Sequence, residues 1–151
     1  MSKYKNLDYV LAYVDGSFLN GMYSGGYVIY TPENRIIYQD CGIGINDPEL
    51  LSMRNISGEM TAAMRATSWI DYHVGKGIII HDYNGLSKWV TGEWKTTKPY
   101  TKAYADWMRP FYTLGIIDFK WVKGHTGNEG NEIADGLAKE AIVFRRQWEW
   151  K

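Results

Sequence analysis

The most restrictive feature of this sequence is a change of pattern about one third of the way along. Before residue 45 three strand-like segments follow one another with no room for a helix between them, and after residue 55 helices and strands alternate. Tyr9-Val10-Leu11-Ala12-Tyr13-Val14 is apolar on both alternating faces, as a central strand covered on two sides must be, and Asp15-Gly16-Ser17 is expected to end it. Gly25 to Tyr30 and Arg35 to Cys41 follow, separated by the turn Thr31-Pro32-Glu33-Asn34, so the first three strands read as an antiparallel meander. After a loop from Asn46 to Asn55, Ser57 is expected to cap a helix with Met60, Ala63, Met64, Trp69 and Ile70 at helical spacing, stopped by Gly75 and Gly77. Gly77 to Asp82 reads as a short buried strand, Leu86 to Val90 as the start of a helix, and Tyr100 to Leu114 as a helix kinked or broken at Pro110. Ile116 to Val122 supplies a fifth strand. Glu129 to about Arg146 closes the chain as a helix with Ile133, Leu137 and Ala141 in one row and Ala134, Ala138 and Ile142 in the next. This order predicts an α/β fold: a mixed five-stranded sheet, three antiparallel strands then two parallel, with helices on both faces.

A length of 151 residues with no low-complexity linker or repeat suits one domain over 1–151, with a core about 8–142 and a helical tail over 143–151 whose Trp148 is expected to pack on the domain. With 45% apolar residues the chain does not suit disorder, and its apolar runs fall short of the ~20 residues of a membrane helix. Cys41 is the one cysteine, which excludes an internal disulfide and every cysteine-rich zinc site and favours a reducing cytoplasm. The first residues carry no apolar segment of a secretory leader. Seventeen basic residues balance seventeen acidic ones, so any nucleic-acid partner has to be read from local charge.

Four acids fall at informative places. Asp15 and Asp82 each stand at the expected end of an apolar strand, where ligands of α/β sheets gather, Glu59 in the expected first turn of the first helix, and Asp135 beside the apolar row of the last helix. Each has an ordinary reading: a helix-dipole acid at Glu59, strand-ending turns at Asp15 and Asp82, a salt bridge from Asp135 to Lys139, a surface histidine at His125. If the strands of Asp15 and Asp82 are parallel neighbours, all four acids can converge, and a cluster of carboxylates without cations repels itself. Oxygen-only ligation selects Mg²⁺ or Mn²⁺ over zinc.

Taken in order, Tyr13-Val14-Asp15-Gly16-Ser17, Gly58-Glu59-Met60-Thr61-Ala62-Ala63, His81-Asp82-Tyr83, and Val122-Lys123-Gly124-His125-Thr126-Gly127 followed by Asn131-Glu132-Ile133-Ala134-Asp135-Gly136-Leu137-Ala138 resemble the type 1 ribonuclease H family over about residues 8 to 142. The resemblance implies a ribonuclease H-like fold and a metal-binding tetrad of Asp15, Glu59, Asp82 and Asp135. It implies further a mobile catalytic histidine at His125 and endonucleolytic hydrolysis of the RNA strand of RNA–DNA hybrids with Mg²⁺ or Mn²⁺. Phosphodiester hydrolysis needs an activated water and a stabilised leaving group, which two cations ~4 Å apart supply. On that scheme Asp15 bridges two Mg²⁺ ions, Glu59 and Asp82 hold the leaving-group side, Asp135 holds the water side, and the products carry 5′-phosphate and 3′-hydroxyl ends. His125 is expected to act in proton transfer or product release. His81 and Tyr83 depart from the family's more familiar Thr-Asp-Ser.

Lys88 to Lys98 is similar to the family's hybrid-binding handle, though shorter and less basic, with Trp89, Trp94, Lys95, Thr96 and Lys98 as candidate contacts. Residues 86 to 110 carry a net charge of +3, Lys102 included, suited to tracking phosphates of the DNA strand. The 2′-hydroxyls of RNA are expected to meet small polar groups near the acids: Ser17, Asn20, Ser24, Asn55 and Ser57, with Arg54 on a phosphate. A DNA-directed nuclease or integrase, or a non-enzymatic nucleic-acid-binding module, are the competing readings; the fourth acid and the Gly-His-x-Gly loop favour the ribonuclease. No membrane and no obligate protein partner are implied.

Overall fold

The computed structural model describes residues 4–124 and 126–149. Its elements are β1 (Val10–Leu19), β2 (Met22–Tyr30), β3 (Ile36–Ile43), α1 (Pro48–Ser52), α2 (Asn55–His73), β4 (Gly77–His81), α3 (Gly85–Thr91), α4 (Pro99–Thr113), β5 (Ile117–Trp121) and α5 (Glu129–Phe144). The five strands form one sheet in the order β3-β2-β1-β4-β5. β1, β2 and β3 pair antiparallel, β4 joins parallel to β1, and β5 joins parallel to β4. This is the α/β architecture expected from the order of patterns.

The faces follow from the two-residue period of a strand. Val10, Ala12 and Val14 of β1 are fully buried in the core shared with α2, while Tyr13 points the other way, where Gly130 of α5 lies against its ring. On β2, Gly25 faces α2 and Gly26 faces α5. The α2 side is anchored by Trp69, which is 1% exposed and stacks on Tyr38 with ring centroids 5.4 Å apart. α4 contributes Tyr104, whose hydroxyl donates to the Leu86 carbonyl at 2.6 Å and ties α4 to α3.

Several local expectations are corrected. β1 does not end at Asp15: it runs on to Leu19 and turns into β2 at Asn20-Gly21, both at positive φ (54° and 73°), the geometry of a two-residue hairpin. α2 begins at Asn55, two residues before the expected cap, so Ser57 is an interior residue and Glu59 lies in the second turn. The loop before it contains the short α1, capped by the Asp47 carboxylate, which accepts from the backbone N–H groups of Glu49 and Leu50. Pro110 does not break α4, because it sits in the last turn, where the one carbonyl it orphans is near solvent.

Trp148 packs on the domain, but the tail is not the helix expected over 143–151: α5 ends at Phe144, where Arg145 turns to φ 51°, and residues 146–149 are not helical. Beyond Phe144 the chain runs beside β3, with the Ile43 N–H donating to the Arg146 carbonyl at 2.9 Å. Trp148 lies over Gly42, stacks on Tyr27 and carries the Arg65 guanidinium 4.8 Å above its ring. The Glu149 N–H donates to the buried Asp40 carboxylate.

Candidate active site

Two helices reach the same point of the sheet from opposite faces because glycines let them. At the level where Asp15 pairs with Gly26 and Gly16 with Gly25, a Cβ on Gly58 would run into the Ser24 carbonyl, and one on Gly16 into the Asn55 carbonyl. On the other face a Cβ at Gly26 would stand 2.8 Å from the Ala134 carbonyl of α5. Glu59 follows Gly58 and Asp135 follows Ala134, so the tightest helix-to-sheet approaches deliver the two helical acids to Asp15.

Asp15, Glu59 and Asp82 come together with one carboxylate oxygen of each within 4.8 Å of the others. Asp15 is 5% exposed and Glu59 1%. Asp135 stands beside Asp15, close enough to raise its proton affinity through repulsion and a hydrogen bond, but outside this trio; its Oδ2 is 3.0 Å from Lys139 Nζ. Burial first, then the charge of Asp82, push the Asp15 carboxyl up to about 8, against one hydrogen bond from the Gly16 N–H that favours the anion. Burial, then Asp82 and Asp15, push Glu59 well above the ordinary glutamate range. Among the described residues no Lys or Arg forms an ion pair with the trio. Three oxygen donors crowded into low dielectric without a counter-charge fit a hard divalent cation and fit little else.

Asp82 is held from several directions. The Trp121 indole N–H donates to its carbonyl at 2.9 Å, the Asn131 amide lies 3.5 Å from Oδ2, and a Cβ on Gly124 would come within 2.8 Å of the same oxygen. The next residue, Tyr83, turns its N–H toward Glu59 Oε2 at 3.4 Å. His81, fully buried at the end of β4, has Nδ1 2.9 Å from the Tyr83 carbonyl. A carbonyl only accepts, so Nδ1 carries the proton; burial lowers the ring's proton affinity and keeps it neutral. His81 is thus a brace for the turn that follows Asp82. Asn131, Gly124 and Trp121 were not singled out from the sequence. Asn131 was within reach, since it lies four residues before Asp135 on the same face of α5.

The other expected site residues divide. Asn55 is exposed at the start of α2, and Ser17 is half-buried on β1 opposite Ser24. Arg54 is exposed with φ 55° and ψ −128°, a conformation that costs on the order of 1–3 kcal/mol in a non-glycine residue, and its guanidinium lies 5.4 Å from the Phe18 ring centroid. Ser57 and Ser24 are fully buried, donating to the carbonyls of Leu50 and Ala138, so neither hydroxyl faces the accessible side. Asn20 stands at the tip of the β1–β2 hairpin. Trp89 and Trp94 gather with Tyr83 in one aromatic group, ring centroids 5.6 to 6.4 Å apart, which begins one residue from Asp82. Lys95 and Lys98 are exposed and Thr96 half-buried between α3 and α4, whereas Lys102 is ion-paired to Asp106 at 2.7 Å. His125 lies outside the described residues. An apolar cavity of about 500 Å³ between α2, α4 and the tail is away from the acids.

The family model of RNase H matches residues 8–143. The ribonuclease H of Paracidovorax citrulli is 27% identical over 146 residues, an alignment covering 90% of this chain and 95% of that protein. With other curated relatives the match is partial, spanning 46% and 66% of their length. Among solved structures, ribonuclease H1 of Halobacterium salinarum superposes with TM-score 0.75 at 23% identity over 90% of this chain and 98% of that one. A compost-derived ribonuclease H1 in complex with an RNA/DNA hybrid superposes with TM-score 0.68 at 13% identity, over 88% of this chain and 99% of that one. A family match over nearly the whole chain, falling on the residues that build the acidic site, leaves one conclusion: the chain belongs to the ribonuclease H family.

Proposed function

We propose that this protein is an endonuclease that hydrolyses the RNA strand of RNA–DNA hybrids with two Mg²⁺ ions, for which Mn²⁺ can substitute, leaving 5′-phosphate and 3′-hydroxyl ends. The observation that carries this reading is the buried, uncompensated trio of Asp15, Glu59 and Asp82 with Asp135 beside it. Support comes from membership in the family and from the relative whose structure was solved with an RNA/DNA hybrid.

Bound divalent ions supply charge stabilisation for the phosphate and for both the entering and the leaving oxygen. Asp15, the member of the trio that Asp135 stands beside, would serve both ions. Glu59 and Asp82 would hold the ion that stabilises the leaving oxygen, and Asp135, once drawn from Lys139, would hold the one that activates water. Gly16, Asn131, Trp121 and His81 keep these carboxylates and their backbone in register, so little reorganisation is left for the reaction itself. His125 is assigned to proton transfer or product release.

Asn55 and Ser17 present polar groups suited to 2′-hydroxyls, and Arg54 a cation suited to a phosphate. The Trp89–Trp94 aromatic group with Lys95, Thr96 and Lys98 forms the surface for the DNA strand, and Lys102 can join it by exchanging Asp106 for a phosphate. The reading is tested by incubating a 3′-labelled RNA strand in a hybrid with protein and Mg²⁺ and assaying product ends. Fragments that kinase cannot label until phosphatase has acted carry the expected 5′-phosphate. Directly labelled 5′-hydroxyl ends would contradict it.

A further inference from the structure

Trp121 holds Asp82 through its indole N–H, 2.9 Å from the Asp82 carbonyl, and yet it remains 51% exposed, which that brace alone leaves unexplained. A tryptophan at the end of an edge strand normally lowers its free energy by burying its ring, at roughly 25 cal/mol per Å² of apolar area removed from water. Here the ring is kept in water and fixed in one orientation by a hydrogen bond to the backbone of a catalytic acid. The residue lies at the carboxyl end of β5, directly across from His81 in the parallel register, and the ladder continues through the Val122 N–H to the His81 carbonyl at 2.8 Å. The backbone beneath Trp121 is therefore tied to β4 up to and past its end.

Its direction matters as well. Phe119, two residues earlier and so on the same face, meets His81 and Tyr112 of α4. That is the face of α2, α3 and α4, from which Glu59 reaches the site and on which Tyr83, Trp89 and Trp94 gather. Trp121 thus meets Asp82 on the face where that aromatic group lies. Lys123, two residues on, is exposed and makes no ion pair among the described residues. A half-exposed ring anchored to the backbone of Asp82, with an exposed lysine two residues on, suits the sugar and base of a nucleotide whose phosphate lies at the acids.

Resting on the function proposed above, we infer that Trp121 has a double part in the reaction: its exposed ring packs on a nucleotide of the bound hybrid, and its N–H positions the Asp82 backbone. A strand seated on the ring is thereby registered against the acids.

Two variants separate the parts. Trp121→Phe keeps a ring and loses the N–H; Trp121→Leu loses both but keeps apolar cover over the strand end. Single-turnover cleavage of a labelled hybrid at increasing protein gives a limiting rate and a half-saturation, and anisotropy of the same hybrid in EDTA gives affinity without cleavage. The inference predicts a limiting rate lowered about 10-fold in both variants, the loss expected of one misplaced hydrogen bond to a main chain that carries a ligand. It predicts affinity within about twofold of the parent for Trp121→Phe and weakened at least ~5-fold for Trp121→Leu, in cleavage and in EDTA alike. Equal affinities of the two variants would overturn the packing contact. Limiting rates within twofold of the parent would overturn the positioning part, with thermal melting showing both variants folded. A parent protein that cuts no hybrid would overturn the proposed function and this inference together; a parent that cuts while both variants match it overturns the inference alone.

Discussion

Asp15 and Asp82 occupy equivalent positions on adjacent parallel strands: Tyr13 pairs with Ile80, and each aspartate lies two residues further on. Pairing between the strands stops before them, so both carboxylates stand where β4 has ended and β1 continues alone with β2. Beyond that point, on the β4 side of β1, no strand of the described residues separates the α2 side of the sheet from the α5 side. Glu59 from one layer and Asp135 from the other can therefore approach the same two aspartates, and the site is a property of where one strand stops.

Without metal, the charge at this point opposes folding. The carboxyl of Asp15 is raised from 3.8 to about 8, so between those values the folded state holds a proton that the unfolded state has released. Stability then falls as pH rises through that window and levels off above about 8. Thermal melts in EDTA are expected to show the midpoint dropping by several degrees from pH 5 to pH 8. Asp15→Asn should flatten the profile and melt above the parent at pH 8.

Binding of Mg²⁺ reverses that penalty. At about 100 times Kd, one bound ion contributes ~2.7 kcal/mol, or a rise of about 5–10 °C in Tm for a chain of this size. Because Asp15 holds its proton at pH 7 in the absence of a cation, binding should release protons. Calorimetry in two buffers of different ionisation enthalpy checks this; an apparent heat independent of buffer would speak against it.

Lys139 Nζ, 3.0 Å from Asp135 Oδ2, would compete with any cation held by Asp135. Lys139→Gln is expected to lower the Mg²⁺ concentration at half-maximal cleavage by roughly 2- to 5-fold and to leave the saturated rate within about twofold, since the lysine is largely solvent-exposed and the pair contributes little to stability. A Mg²⁺ titration of initial rates reads both.

Gly58 is where the fold and the site depend on one missing methyl group. Gly58→Ala forces α2 off β2, with a loss of about 3 kcal/mol or more and a drop in Tm of about 6–12 °C, and the displaced Glu59 should lower cleavage even well below the melting range. Circular dichroism melts and rates at 15 °C separate the two effects.

Trp148 provides the contrast, because its contacts lie on Gly42, Tyr27 and Arg65, away from the acids. Trp148→Ala is expected to lower Tm by roughly 5 °C through lost packing of about 2 kcal/mol, while kcat/KM in the folded protein stays within about twofold.

The strand and helix order was legible because apolar periodicity in β1, β2 and α5 is strong and the sheet has one sensible way to close. The end of β1 was not. Asp15-Gly16-Ser17 has the composition of a turn, and only tertiary cover by α2 and pairing with Gly26, Gly25 and Ser24 keeps it extended. Asn20-Gly21, the real turn, carries the Asn-Gly signature of a two-residue hairpin. Ser57 looked like a cap, yet α2 starts two residues earlier, behind the left-handed Arg54 with no side-chain cap, which local propensity disfavours. The acids were legible through their motifs. Their supports, Trp121 on Asp82 and His81 on Tyr83, depend on the register of β4 against β5, which spacing along one chain does not encode.

The central claim, that the acidic site cuts RNA paired to DNA, is tested most directly with one labelled strand in matched RNA–DNA, RNA–RNA and DNA–DNA duplexes, each with Mg²⁺ and with Mn²⁺, and with Asp15→Asn as the control protein. The expected result is cleavage of the RNA strand of the hybrid alone, abolished in the variant. Cleavage of the DNA duplex, or hybrid binding with no cleavage under either metal, would contradict it.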